Sequence, residues 1–116
     1  MARIDFIDQL EVLGYKTQEE TNGMVVFQYT IPVGKNTGKT LNLAFQIGND
    51  FPMNCPPGPH FESSKIEGWV EPRTNIHTSP LGVEWRYWSR PFPDWNRTQK
   101  TVKVYLSHIK NLLNTV

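Results

Sequence analysis

Apolar side chains recur at helical spacing near the start of the chain and again at its end. The first stripe lies within residues 3–13, and Gly14 follows it as a stop signal; its members are Ile4, Phe6, Ile7, Leu10 and Leu13. The second lies within residues 98–114 and consists of Val102, Tyr105, Leu106, Ile109, Leu112 and Leu113. The pattern predicts a helix at each end, the second one capped by Asn96 or Thr98.

Between these stripes the pattern changes to alternation, which is typical of strands. Residues 24–32 place Val25, Phe27, Tyr29 and Ile31 on one side, and residues 40–47 do the same with Leu41, Leu43, Phe45 and Ile47. Asn22-Gly23 predicts a tight turn before the first of these strands. Weaker signals predict an edge strand in 15–21 and a short strand in 60–63, so we expect an antiparallel meander of three to four strands.

Residues 64–94 show no regular period, and three of the four tryptophans fall between Trp85 and Trp95. Pro91 and Pro93 remove amide donors from this stretch. We therefore predict that residues 84–95 are neither strand nor helix but a long irregular aromatic segment packed on the core. The whole chain, residues 1–116, is expected to be one α+β domain with its helices on one face of the meander.

Composition excludes several classes of function. The net charge of +1 gives no field that would select nucleic acid, and no apolar run is long enough to span a membrane. The absence of an apolar leader segment predicts a cytoplasmic protein. A single cysteine excludes an internal disulfide and a multi-cysteine zinc site, and no cofactor or metal is expected.

Residues 34–40 resemble a phosphate loop, but three residues separate Gly34 and Gly38 where the motif needs four. A strand follows, whereas a phosphate site needs a helix N-terminus there. This stretch is therefore interpreted as a flexible turn with solvated lysines.

Cys55 is the only candidate thiol nucleophile. His60 follows five residues later, but the intervening prolines favour an extended chain that would hold the two about 15 Å apart. His77, in an irregular stretch, is a second weak catalytic candidate, and His108 is expected on the last helix as a surface or boundary residue. The serines, Ser79 among them, show no accompanying base and orienting group in the sequence.

The aromatic segment offers a possible binding surface. One interpretation is that its rings and cations stack on a nucleic-acid strand or hold a carboxylate tail; the residues are Trp85, Arg86, Trp88 and Arg90. The competing interpretation is a structural clamp of cations and rings on the core. The near-neutral charge argues against nucleic acid.

Residues 51–61, which run from Phe51-Pro52 through Pro56-Pro57, resemble the aromatic-Pro-x-x-Pro-Pro loop of ubiquitin-conjugating domains. Residues 85–90, then Trp95, then a helix with Leu112-Leu113, are similar to a bacterial branch called prokaryotic family E. The resemblance covers essentially the whole chain. It implies a ubiquitin-conjugating-like fold, and a ubiquitin-like modifier with its activating enzyme as partners.

The chain departs from that family at the catalytic step. The usual thioester cysteine would lie well after the Pro-Pro loop, but residues 61–116 contain no cysteine, and Cys55 lies within the loop itself. We therefore expect a noncatalytic binding or adaptor subunit of a bacterial ubiquitin-like modification pathway. The expected partner contacts are Phe51, Pro52, Met53 and Pro57 on the loop, with Trp85, Arg86, Trp88 and Arg90. The alternatives are an active transferase that uses Cys55, or a stand-alone peptide-binding module.

Overall fold

A computed structural model describes residues 2–116 as an α+β fold, in which a six-stranded antiparallel sheet is joined to a helix at each end of the chain. In chain order the elements are α1 (Arg3–Val12), β1 (Thr17–Glu19), β2 (Met24–Thr30), β3 (Thr40–Gln46), β4 (His60–Phe61), β5 (Ile76–Ser79), β6 (Gly82–Trp88) and α2 (Val102–Asn114). Short 3-10 turns occupy Thr21–Gly23 and Trp95–Arg97. The strand order in the sheet is β1-β2-β3-β4-β6-β5.

Both helices pack on one face of the β2–β3 hairpin, as the alternation predicted. Val25 pairs with Phe45 across the hairpin, so both side chains point to the same side. The Phe45 ring lies 5.7 Å from Phe6 of α1 and 4.9 Å from Tyr105 of α2, centroid to centroid. These edge-to-face contacts centre the core on Phe45.

The C-terminal helix begins at Val102, later than predicted, and neither Asn96 nor Thr98 caps it. Its cap is Thr101, whose hydroxyl accepts a hydrogen bond from the Val104 amide at 3.2 Å. The prediction was wrong because Lys100 has φ +56°, a left-handed conformation that separates Thr98 from the helix. The Thr98 hydroxyl instead accepts from the Lys100 amide within that turn.

The sheet has six strands among the described residues, where three to four were predicted. The difference is the β5–β6 hairpin, which includes Trp85 and Trp88 in β6. The prediction that residues 84–95 contain no strand is therefore wrong for their first part, although the segment after Trp88 is irregular as expected. The alternation was hidden because Trp85 and Trp88 lie on opposite faces of β6 and both are buried.

The turn between β2 and β3, which the sequence predicted to be flexible, is tied to the rest of the fold by one side chain. Asn36 is fully buried. Its side-chain amide donates to the Val70 carbonyl at 2.6 Å and accepts from the Val70 amide at 2.8 Å. The turn therefore anchors the long connection between β4 and β5.

Candidate partner-binding site around the Pro-Pro loop

The loop that contains the proline pair is fixed to the core at three points. Phe51 is buried, and its ring lies 5.1 Å from Phe6 and 6.1 Å from Trp95. The Trp95 indole N–H donates to the Pro52 carbonyl at 2.9 Å, and the Tyr105 hydroxyl donates to the Pro57 carbonyl at 3.3 Å. A loop held in this way presents a defined surface to a partner and loses little further entropy on binding.

The end of the loop lies directly on the sheet. Gly58 faces the backbone of Trp88, and a Cβ atom at this position would lie only 1.8 Å from the Trp88 carbonyl oxygen. Any side chain would push the loop away from β6. Glycine here therefore holds the Pro-Pro segment against the last strand.

The predicted loop contacts differ in what they can offer a partner. The Met53 side chain is 60% exposed at the tip, Pro57 is exposed and Pro52 is half-buried. Phe51 belongs to the core, so its ring anchors the loop and is not accessible to a partner. The loop also has one residue more than the aromatic-Pro-x-x-Pro-Pro pattern, because Met53, Asn54 and Cys55 separate Pro52 from Pro56.

Cys55 is half-buried between two surface cavities, one of about 320 Å³ beside Arg3 and one of about 430 Å³ beside Tyr87 and Arg90. Burial raises the pKa of its thiol to about 12. Within the described part of the chain, no histidine lines either cavity. Arg3 and Arg90 line these cavities, but burial is the one influence that shifts the pKa of the thiol, and it favours the protonated form.

His60 is buried on β4 and faces away from the helices. Its Nδ1 atom lies 2.8 Å from the Ser79 hydroxyl, and its ring stacks on Tyr87 at 4.6 Å. Burial lowers the pKa of His60 to about 4, so the ring is neutral at physiological pH. His60 thus makes these contacts within the sheet, and it does not line either cavity beside Cys55.

The contact between Ser79 and His60 was missed in the sequence, where no base was found for any serine. The two residues come together because β4 and β5 both pair with β6, and Tyr87 is the register partner of both His60 and His77. The Leu81 amide donates to the Ser79 hydroxyl at 3.2 Å, which leaves the hydroxyl proton free for His60. No carboxylate hydrogen-bonds to His60 within residues 2–116. Because His60 and Ser79 are both buried, their hydrogen bond satisfies polar groups that are removed from water. Nothing in the sequence spacing points to this pairing.

His77, the other weak catalytic candidate, is exposed on the edge strand β5. Its ring lies 6.2 Å from that of Tyr87 and extends the row formed by His60 and Tyr87 across three strands. No nucleophile is hydrogen-bonded to it in the described structure. The arrangement is a surface aromatic contact.

The aromatic segment is largely occupied with internal contacts. Trp88 is fully buried against Phe61, with ring centroids 4.6 Å apart, and Trp85 is buried on the opposite face. Arg90 donates to the carbonyls of Thr74, Asn75 and Ser89 at 2.9–3.4 Å. The two tryptophans thus pack inside the fold, and Arg90 is held by backbone carbonyls.

Arg86 is exposed, whereas His108 is half-buried. The Arg86 guanidinium lies 3.7 Å from the Glu71 carboxylate at the surface. His108 stacks on Phe92 at 4.2 Å, and burial lowers its pKa, with a smaller opposite contribution from the Arg90 backbone. Arg86 is thus the segment's exposed cation, whereas His108 lies within α2 at the boundary between core and solvent, as the sequence predicted.

The described residues contain no group of three His, Cys, Asp or Glu side chains arranged to hold a metal ion. Within residues 2–116 neither helix is long and apolar enough to cross a membrane.

Comparisons with protein-family models, with curated proteins and with solved structures found no match to this chain.

Proposed function

We propose that the chain is a noncatalytic ubiquitin-conjugating-like domain, which acts as a cytoplasmic binding or adaptor subunit in a bacterial ubiquitin-like modification pathway. The resemblance of residues 51–61 and 85–95 to the family supplies the pathway. The α+β architecture, with the Pro-Pro loop leading into the fourth strand, is compatible with that family.

The setting of Cys55 is the observation that carries the noncatalytic part of the proposal. Acyl transfer through a thioester needs a thiolate at the ambient pH. Burial raises the pKa of Cys55 to about 12, and His60 is hydrogen-bonded to Ser79 on β5. Among residues 2–116 the thiol is thus protonated near neutral pH, and no histidine lines either cavity beside it.

The rigid loop supports a binding role. Met53 projects from a loop whose neighbours are fixed by the Trp95–Pro52 and Tyr105–Pro57 hydrogen bonds. An exposed methionine on an ordered support adapts well to an apolar partner surface. We assign the partner contact to Met53, Pro52 and Pro57, with Arg86 as a separate exposed cation on β6.

The binding proposal is tested with the ubiquitin-like protein and activating enzyme that the resemblance predicts to be encoded beside the chain. Purified chain should retain one of these proteins on an affinity resin, and Met53→Asp should abolish that retention. Val83→Asp is the matched control, because Val83 is 98% exposed but lies on the β5–β6 hairpin. Absence of retention with the unaltered chain would contradict the binding role, and absence of such neighbouring genes would favour a stand-alone peptide-binding module.

The rival transferase function is tested in the same system with ATP. A thiol-sensitive adduct of the modifier that is lost in Cys55→Ser would establish the rival. The noncatalytic proposal expects no adduct, while retention on the resin persists in Cys55→Ser.

A further inference from the structure

A second surface, separate from the Pro-Pro loop, lies between the C-terminal end of α1 and the outer side of α2. We call it the α1–α2 groove, and its lining includes Val12, Leu13, Tyr15, Lys103, Leu106 and Lys110. It consists of two cavities of about 270 and 250 Å³ that share Leu13 and Lys103. Because both cavities share these two residues, they form one continuous depression.

The apolar part of this groove is unusually exposed. Val12 is 86% exposed and Leu13 is 43% exposed at the end of α1, where a core-facing helix would bury such side chains. Leu106 is only half-buried on the α2 side. A concave surface that leaves aliphatic groups in water favours a partner with an apolar side chain.

The walls of the groove are held in place without any partner. The Gln9 side-chain oxygen accepts a hydrogen bond from the Val102 amide at 2.8 Å, which ties the start of α2 to α1. The Tyr15 ring packs against Phe27 at 4.9 Å, so the floor is attached to the core. The groove is therefore preformed.

The charge along the groove is concentrated on α2. Lys103 and Lys110 are exposed, lie seven residues apart on one helix face, and make no ion pair with any residue from 2 to 116. The phenols of Tyr15 and Tyr29 lie beside them in the same cavity, and burial raises the pKa of Tyr29 to about 12, so this phenol remains a hydrogen-bond donor. Two free ammonium groups and a phenol donor are complementary to carboxylates.

We propose that the α1–α2 groove binds an acidic peptide segment, with an apolar side chain over Val12 and Leu13 and carboxylates on Lys103 and Lys110. A peptide fits better than an anionic membrane, because two lysines line the groove, whereas a membrane surface usually needs a cluster of about four to eight basic residues. This inference does not depend on the pathway proposed above.

The test begins with selection from a random dodecapeptide phage library on the immobilised chain. We expect enriched sequences to place a leucine, methionine or aromatic residue next to aspartate or glutamate. A fluorescein-labelled enriched peptide should then bind in polarisation assays, and its affinity should fall as salt is raised. No enrichment, or enrichment of basic sequences, would overturn the proposal.

Variants locate the binding surface. The double change Lys103→Glu with Lys110→Glu should weaken binding of that peptide at least about tenfold, and Val12→Asp should weaken it similarly. The matched control is Lys35→Glu with Arg73→Glu, which alters net charge equally at exposed positions outside the groove and should change affinity less than about twofold. Equal losses in the two double variants would overturn the assignment. So would lysine-dependent binding to phosphatidylserine vesicles in the absence of peptide binding, which would indicate a membrane surface instead.

Discussion

The indole N–H of Trp95 donates a hydrogen bond to the carbonyl of Pro52, at 2.9 Å and across 43 residues of sequence. It joins the irregular segment before α2 to the Pro-Pro loop. Trp95 also packs against Phe51 and Tyr105, so one side chain connects the loop to the core and to the last helix. The shape of the loop thus depends on a residue far from it in the chain.

Trp95→Phe should test this connection, since it keeps an aromatic ring and removes the donor. We expect a loss of about 1–2 kcal/mol in the free energy of unfolding, because the Pro52 carbonyl loses its partner in a partly buried site. Urea denaturation measures the loss, and hydrogen exchange should show faster exchange of the Met53 amide. Asn96→Ala, at the exposed neighbour, should alter neither quantity.

Trp88→Ala should destabilise the fold by about 3–5 kcal/mol, as expected for removal of a buried large ring. Trp88 is 0% exposed and packs on Phe61 and on Trp69. The urea midpoint measures the effect, with Val83→Ala on the same strand as the control that should stay within about 0.5 kcal/mol. An unchanged midpoint for Trp88→Ala would mean that the ring contributes nothing to the core.

The sequence predicted the parts of the fold whose side chains divide cleanly between core and solvent. In β2 and β3 one face is packed by the helices, and the residues on that face, Phe27 and Phe45 among them, recur at every second position. In α1 the stripe was found, although Ile4 and Leu13 are exposed. Leu13 lines the α1–α2 groove, and a pattern of residue types cannot distinguish an apolar residue in a surface groove from one in the core.

The candidate site was less accessible to sequence reasoning because its geometry depends on pairing between distant strands. Ser79 meets His60 only because β6 lies between their strands. The Arg90 guanidinium was expected as a partner contact, yet it donates to three backbone carbonyls, which no residue spacing reveals. The half-buried state of Cys55 likewise results from loop packing that a single sequence does not encode locally.

Stability should decrease in mild acid because of His60. Burial lowers the pKa of His60 from 6.5 to about 4, so between these pH values the unfolded chain binds a proton that the folded chain does not. The contribution is complete above pH 6.5 and is lost as the pH falls toward 4, with a slope of at most about 1.4 kcal/mol per pH unit. The lowered pKa of His108 acts in the same direction.

Urea midpoints measured across this pH range check the effect. His60→Gln should give a flatter profile than the unaltered chain, because one of the two imidazoles with a lowered pKa is gone. His77→Gln is the matched control, because it makes the same substitution at an exposed histidine. A slope that is equally steep in His60→Gln would show that His60 does not titrate with unfolding.

Alkylation of Cys55 by iodoacetamide should be slow in the folded chain. With a pKa of about 12 the thiol is almost entirely protonated near neutral pH, and burial further limits access of the reagent. In urea the pKa returns to about 8.5, and we expect the rate at about pH 8 to rise on the order of a thousandfold. Mass spectrometry of timed samples measures both rates in the same protein, so the unfolded chain is its own control. Fast alkylation of the folded chain, with a rate that stops rising with pH below neutrality, would reveal a stabilised thiolate. That result would favour the transferase function.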